Sequence, residues 1–237
     1  MIDIQCKDGK YIIDARIHSE VDTNDIAKVQ ERFTSDCAYE FAEAMRKAVN
    51  ISHLVMKEKR GNKMSKTLIV VDMQNDFIDG SLGTKEAQAI VSNVAKKIKE
   101  YKDADKQVIF TRDTHPENYL ETYEGKHLPV THCVKNTVGW QISDKLDFDI
   151  ENDILIDKPT FGWLNWKDFG FESVEICGLC TDICVVSNAL IIRANYPEID
   201  ITVDASCCAG VTPDTHKAAL ATMKMCQIEV IGENNEV

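Results

Sequence analysis

Val174-Glu175-Ile176-Cys177-Gly178-Leu179-Cys180-Thr181-Asp182-Ile183-Cys184-Val185 is the stretch on which the fold turns. The apolar run 174–177 reads as a buried strand, and 186–195 behind it reads as a helix. A strand that turns at once into a helix aims the first-turn backbone N–H groups of that helix into the turn. Cys184 lies there, at the positive end of the helix dipole, where thiolate is favoured over thiol. It is a candidate nucleophile. The plainer alternative is a buried structural cysteine, one of nine in the chain.

Outward from this turn, the same alternation covers residues 67–231. Strands are expected at 67–72, 107–112, 153–157, 174–178, 200–204 and 228–231, and helices at 85–101, 182–195 and 213–225. Near-continuous Val/Ile runs between amphipathic helices imply a mainly parallel sheet covered on both faces, a three-layer α/β/α domain over 64–237. In such sheets the site lies beyond the carboxyl ends of the strands. Residues 1–63 read as a small α+β segment. It comprises a hairpin (2–6, a turn at Asp8-Gly9, then 11–17) and one or two amphipathic helices over 22–50, and it ends in the polar linker 57–63. Met64-Ser65-Lys66-Thr67 looks like a normal enzyme start. Lys59-Arg60-Gly61 can be encoded by a purine-rich ribosome-binding run just upstream, so Met64 is read as a second translation start.

Hydrophobic residues make up 44% of the chain and charged residues 28%, the balance of a soluble globular protein. No apolar run nears the roughly 18 residues of a membrane span, and no signal peptide is visible, so a cytoplasmic location is expected. Acidic and basic residues balance within 1–63, so the whole net charge of −12 falls on the remainder. That acidic body argues against nucleic acid and anionic membranes as partners; a homo-oligomer stays open. Nine cysteines, an odd number, suggest reduced thiols. Cys177 and Cys180 have the spacing of half a zinc or redox site, but no second pair answers them.

The expected strand ends carry the chemistry. Asp72 closes the first strand of the domain, where partial desolvation raises a carboxyl pKa and suits it to proton transfer. Asp76, four residues on, reads as structural. Asp113 and His115 follow the second strand at i and i+2, facing one side of extended chain, and Pro116 favours that extended form. With His132 they make two imidazoles and a carboxylate, a metal set with open positions; His127 competes as a ligand. Lys158 ends the third strand, where its charge can hold a carboxylate and favour a thiolate.

Val71-Asp72-Met73-Gln74-Asn75-Asp76-Phe77, Asp113-Thr114-His115-Pro116, His132-Cys133-Val134, Lys158 and Gly178–Val185 occur in this order. Together they resemble the isochorismatase-like cysteine hydrolases, and among these the nicotinamidase/pyrazinamidase type. The resemblance spans about residues 66–232. It implies a catalytic triad of Asp72, Lys158 and Cys184, and an oxyanion hole of the Cys180 and Cys184 backbone N–H groups. It also implies a non-proline cis peptide at Leu179–Cys180, and a divalent metal (zinc above all, or iron or manganese) on Asp113, His115 and His132. The implied reaction is hydrolysis of nicotinamide to nicotinate and ammonia through a Cys184 thioester, with Phe77 and Trp163 lining the ring pocket. Val130-Thr131 stand where many nicotinamidases carry Trp-Pro, and Asn136-Thr137-Val138-Gly139 where relatives carry a Gly-Thr-Pro-Gly-like stretch. Another small amide, a ureido acid or isochorismate is the alternative substrate. A non-enzymatic zinc or thiol-redox protein using Cys177, Cys180 and Cys184 is the third reading.

Overall fold

A computed structural model describes residues 66–233, together with the backbone of three strands nearer the N-terminus. Those three, β1 (Ile2–Lys7), β2 (Lys10–Ala15) and β3 (Arg32–Ser35), pair antiparallel in the order β1-β2-β3. The expected hairpin is β1 and β2, with Ile2 opposite Ala15. Residues 32–35, expected in a helix, pair instead with β2; the Phe-Thr pair there is β-prone, and pairing overrides a helical period. The rest of the expected helical span, the linker and Met64 lie outside the described residues.

The main domain carries six strands: β4 (Lys66–Val71), β5 (Val108–Asp113), β6 (Ile154–Lys158), β7 (Ser173–Leu179), β8 (Asp200–Ala209) and β9 (Glu229–Ile231). Their order is β6-β5-β4-β7-β8-β9, all parallel. The chain builds outward from β4 through β5 to β6, returns to the middle, and builds outward through β7 to β9. The direction of winding therefore reverses between β4 and β7, and a crevice opens at their carboxyl ends. The centre is dry: Leu68, Ile69, Val70 and Val71 of β4 are fully buried. β8 runs past the expected 200–204, because pairing with β7 resumes beyond an irregularity at Gly178↔Cys208 and Leu179↔Ala209.

Helices complete the α/β/α layers. Short α1 (Asn75–Ile78) follows β4. In α2 (Lys85–Asp103), Ala87, Ile90, Val91, Val94, Ile98 and Tyr101 are buried at steps of three and four, and the Thr84 side chain caps the first turn by accepting from the Ala87 N–H at 3.0 Å. A single-turn α3 (Tyr123–His127) lies between β5 and β6. The expected helix over 182–195 divides into a π-helical turn, Thr181–Val185, and α4 (Val186–Asn195); such wide turns are frequent at functional sites. α5 (Pro213–Met225) starts on a Thr212–Thr215 capping box. Among the described residues no helix is long and apolar enough to cross a membrane.

Candidate active site

Gly178 brings the two central strand ends together. It sits at φ +119°, and a Cβ there would lie 2.1 Å from the Val71 carbonyl oxygen, so only glycine lets β7 close on β4. The next peptide bond but one, Leu179–Cys180, is cis, where the resemblance puts it. The π-helical turn then carries Cys184 over the end of β4. Asp72, immediately after β4, is held at φ 48°, a conformation a non-glycine residue keeps only when its surroundings enforce it. Its N–H donates to the Thr111 carbonyl at 3.2 Å, and its Oδ1 accepts from the Thr111 hydroxyl at 2.7 Å.

Lys158 reaches the same point from β6. Its ammonium lies 2.7 Å from Asp72 Oδ2 and 3.4 Å from Asp113 Oδ1, and donates to the Thr160 carbonyl at 3.1 Å and toward Cys184 Sγ at 3.6 Å. Burial works against the lysine charge, but Asp72, Cys184 and Asp113 outweigh it and hold the proton on Nζ well above the ordinary range. Burial pushes the Asp72 carboxyl up, against the pull of Lys158. The Cys184 thiol is also pushed well above its usual range, by burial first; Lys158 opposes this, while Asp72 and Asp113 add to it. Burial thus opposes the thiolate that the helix dipole and Lys158 favour.

A second cluster adjoins the first through Asp113. One ligand atom from each of Asp113, His115, Glu124 and His132 falls within 4.8 Å of all the others. His115 Nε2 lies 3.1 Å from Asp113 Oδ2 and 3.7 Å from Glu124 Oε1, and His132 Nε2 lies 3.8 Å from the same glutamate oxygen. His132 Nδ1 sits 2.7 Å from the Val130 carbonyl, so that nitrogen donates there and Nε2 faces the cluster. His115 Nε2 is buried, and among the described residues its near polar neighbours are the carboxylates of Asp113 and Glu124. Burial raises the Asp113 pKa, but the His115 contact and the Lys158 and histidine charges together hold it below the carboxylate range. An ionised carboxylate, two imidazole nitrogens and a further carboxylate within 4.8 Å of one another fit a divalent ion. Tyr119, fully buried, backs both imidazoles, with ring centroids 4.6 and 4.9 Å away.

Glu124 was not singled out in the sequence. It is one of three glutamates between 117 and 124, and only the capped turn of α3 brings it to the cluster. His127, the rival ligand, is exposed and bonds its own helix at the Tyr123 carbonyl. Phe77 is nearly buried, its ring tilted against His132 at 5.6 Å. Trp163 is half-buried, and its backbone N–H donates to Asn188 Oδ1 at 2.9 Å. Asn188, also missed, ties this segment to the nucleophile turn, because its Nδ2 donates to the Cys184 carbonyl at 2.8 Å. Cys180 is half-buried; its carbonyl accepts from Ile183 and Val185, both at 3.1 Å.

The family model described as the isochorismatase domain matches residues 66–234. A nicotinamidase/pyrazinamidase of Mycobacterium tuberculosis is 28% identical over 185 residues, covering 70% of this chain and 98% of that protein. A probable inactive nicotinamidase of Arabidopsis thaliana is also 28% identical, over 172 residues, covering 66% of this chain and 87% of that protein. Among solved structures, the pyrazinamidase of Pyrococcus horikoshii in complex with zinc superposes with a TM-score of 0.62 at 29% identity, covering 71% of this chain and 99% of that one. A relative named nicotinamidase/pyrazinamidase and one named probable inactive nicotinamidase thus lie at equal identity to this chain.

Proposed function

The chain belongs to the isochorismatase family, and on that premise we propose that it is a metal-assisted cysteine amidohydrolase that converts nicotinamide to nicotinate and ammonia. The observation that carries the reading is the convergence of three buried groups from separate strand ends, Asp72, Lys158 and Cys184, beside the cluster of Asp113, His115, Glu124 and His132. Buried charge of this kind is costly to assemble for stability alone.

In the proposed reaction Asp72 takes the Cys184 proton as the sulfur attacks the carboxamide carbon, and the carbonyl electron pair moves onto oxygen. The backbone N–H groups of Cys180 and Cys184 receive that oxyanion; one such donor is worth about 2.7–4 kcal/mol. The C–N bond then breaks, Asp72 returns the proton to the leaving nitrogen, and ammonia departs from a Cys184 thioester. Asp72 next takes a proton from water as the water oxygen attacks the thioester carbon. Nicotinate leaves, and the thiol regains its proton. Lys158 stays charged throughout and offsets the two carboxylates on either side of it. Asp113, His115, Glu124 and His132 would hold the divalent ion, with zinc the expected one, and such an ion supplies a Lewis-acid contact that orients the ring nitrogen. Phe77 and Trp163 would wall the ring and hold it for attack. The role proposed is nicotinamide salvage toward NAD in the cytoplasm.

The test is an ammonia-release screen over nicotinamide, pyrazinamide, ureido acids and other small amides, with metal analysis of the same sample and of Cys184→Ala. Turnover of nicotinamide that disappears in Cys184→Ala while the metal stays bound is expected. Turnover of a ureido acid alone would move the chain to another member activity. Loss of metal with Cys184 or Cys180 would overturn the hydrolase reading.

A further inference from the structure

Pairing between β4 and β5 ends at Val70↔Phe110, and the left-handed Asp72 turns the chain away from the sheet. Asp113, the last residue of β5, therefore has β6 on one side, opposite Lys158, and among the described residues no strand on the other. A side chain fills that place. Gln74, fully buried, accepts from the Asp113 N–H at 2.7 Å through Oε1 and donates to the Asp113 carbonyl at 2.9 Å through Nε2. Its second amide hydrogen reaches the Trp140 carbonyl at 2.8 Å. The primary amide thus stands in for a strand, with donor and acceptor at the spacing of a peptide group. Glutamate lacks the donor, methionine lacks both, and asparagine is one methylene short.

The Asp113 carboxylate is shared. Its Oδ1 faces Lys158 at 3.4 Å and its Oδ2 faces His115 at 3.1 Å. A small rotation of the Asp113 backbone would spoil both contacts together. We propose that Gln74 is a positioning residue that sets the affinity of the metal cluster by fixing the backbone of Asp113. This rests on the reading that Asp113, His115, Glu124 and His132 hold a divalent ion.

The experiment uses the full chain stripped of metal. Zn²⁺ affinity is measured by competition with a chelating indicator, and the visible absorption of the Co²⁺ form reports ligand geometry. Gln74→Met and Gln74→Asn are each expected to weaken Zn²⁺ binding by about 10–100-fold, the usual cost of losing a group that orients a ligand, and to shift the Co²⁺ bands. A folded variant with unchanged affinity and unchanged bands overturns the proposal, even if its melting temperature falls. Should the methionine variant not fold, the asparagine variant, which keeps a buried amide, carries the comparison. If the unsubstituted chain shows no Zn²⁺ site that Asp113→Ala removes, the metal reading itself fails, a result separate from any effect of Gln74.

Discussion

Lys158 and Asp72, both fully buried, meet at 2.7 Å across the ends of β6 and β4. The pair joins strands that are not neighbours in the sheet, since β5 lies between them. Lys158 is also the cation that balances Asp113. Removing it leaves Asp72 buried without its cation and Asp113 with the histidines alone. Lys158→Met is therefore expected to cost about 3–5 kcal/mol by urea denaturation. Adding Asp72→Asn to it should recover part of the loss, and a double variant no more stable than the single one would show that the pair is not what holds this region.

Asp72→Asn keeps the shape of the side chain and its place beside Thr111, but removes the proton acceptor. Burial pushes the Cys184 thiol up, so the proposed attack depends on that acceptor. The rate of amide hydrolysis should fall by about 10²–10⁴-fold, the usual contribution of a positioned base, while Zn²⁺ content stays unchanged. A variant with near-normal kcat would assign the proton to another group.

Glu124 contributes the second carboxylate of the proposed metal cluster. Glu124→Gln keeps the size of the side chain and loses its charge, and Zn²⁺ affinity should drop by about tenfold or more, which is about 1.4 kcal/mol per tenfold. His127→Ala, at the exposed end of the same short helix, should leave Zn²⁺ affinity where it was. Equal effects from the two would remove Glu124 from the ligand set.

Away from the site, Lys97 on α2 bridges Glu175 of β7 and Asp204 of β8, the latter at 2.8 Å, and Tyr101 donates to Glu175 at 2.7 Å. Burial raises both carboxyl pKa values, but hydrogen bonds and the Lys97 charge outweigh it and hold both below the carboxylate range. Their contribution to stability is full above the unfolded values of about 4 and is lost as pH falls through the lower folded ones. Lys97→Met should cost about 3 kcal/mol at neutral pH, and it should flatten the decline of unfolding free energy below about pH 4. Denaturation curves across that range test this, and a variant with an undiminished acid slope would place the titration elsewhere.

The local pattern carried much of this protein. The run Leu68–Val71 is apolar without a break because both faces of its strand are covered, and that can be read from four residues. Thr84, Thr212 and Pro213 mark helix starts for reasons internal to each helix. The order of Asp72, Asp113, His115, His132, Lys158 and Cys184 along the chain, each just past an apolar run or in a turn, sufficed to name them as candidates and to suggest a family. Residues 32–35 went the other way: their helical spacing was a local signal, and a strand partner overrode it.

What depended on the sheet order could not be read locally. Glu124 resembles its neighbours Glu117 and Glu121 until a capped turn sets it 3.7 Å from His115. Gln74 and Asn188 look like ordinary polar residues of a turn and a helix, and only their burial against other chain segments shows what they hold. The surroundings of Cys184 were hidden for the same cause. Its own helix turn favours a thiolate, while burial pushes the thiol up, opposed by Lys158 and helped by Asp72 and Asp113, and all three of those residues come from other strand ends. The sequence by itself determined the six strands and the longer helices of residues 66–233, since periodicity and capping act over a few residues. The tertiary structure alone decided distances and desolvation between segments, and these set the charges and ligands of the site.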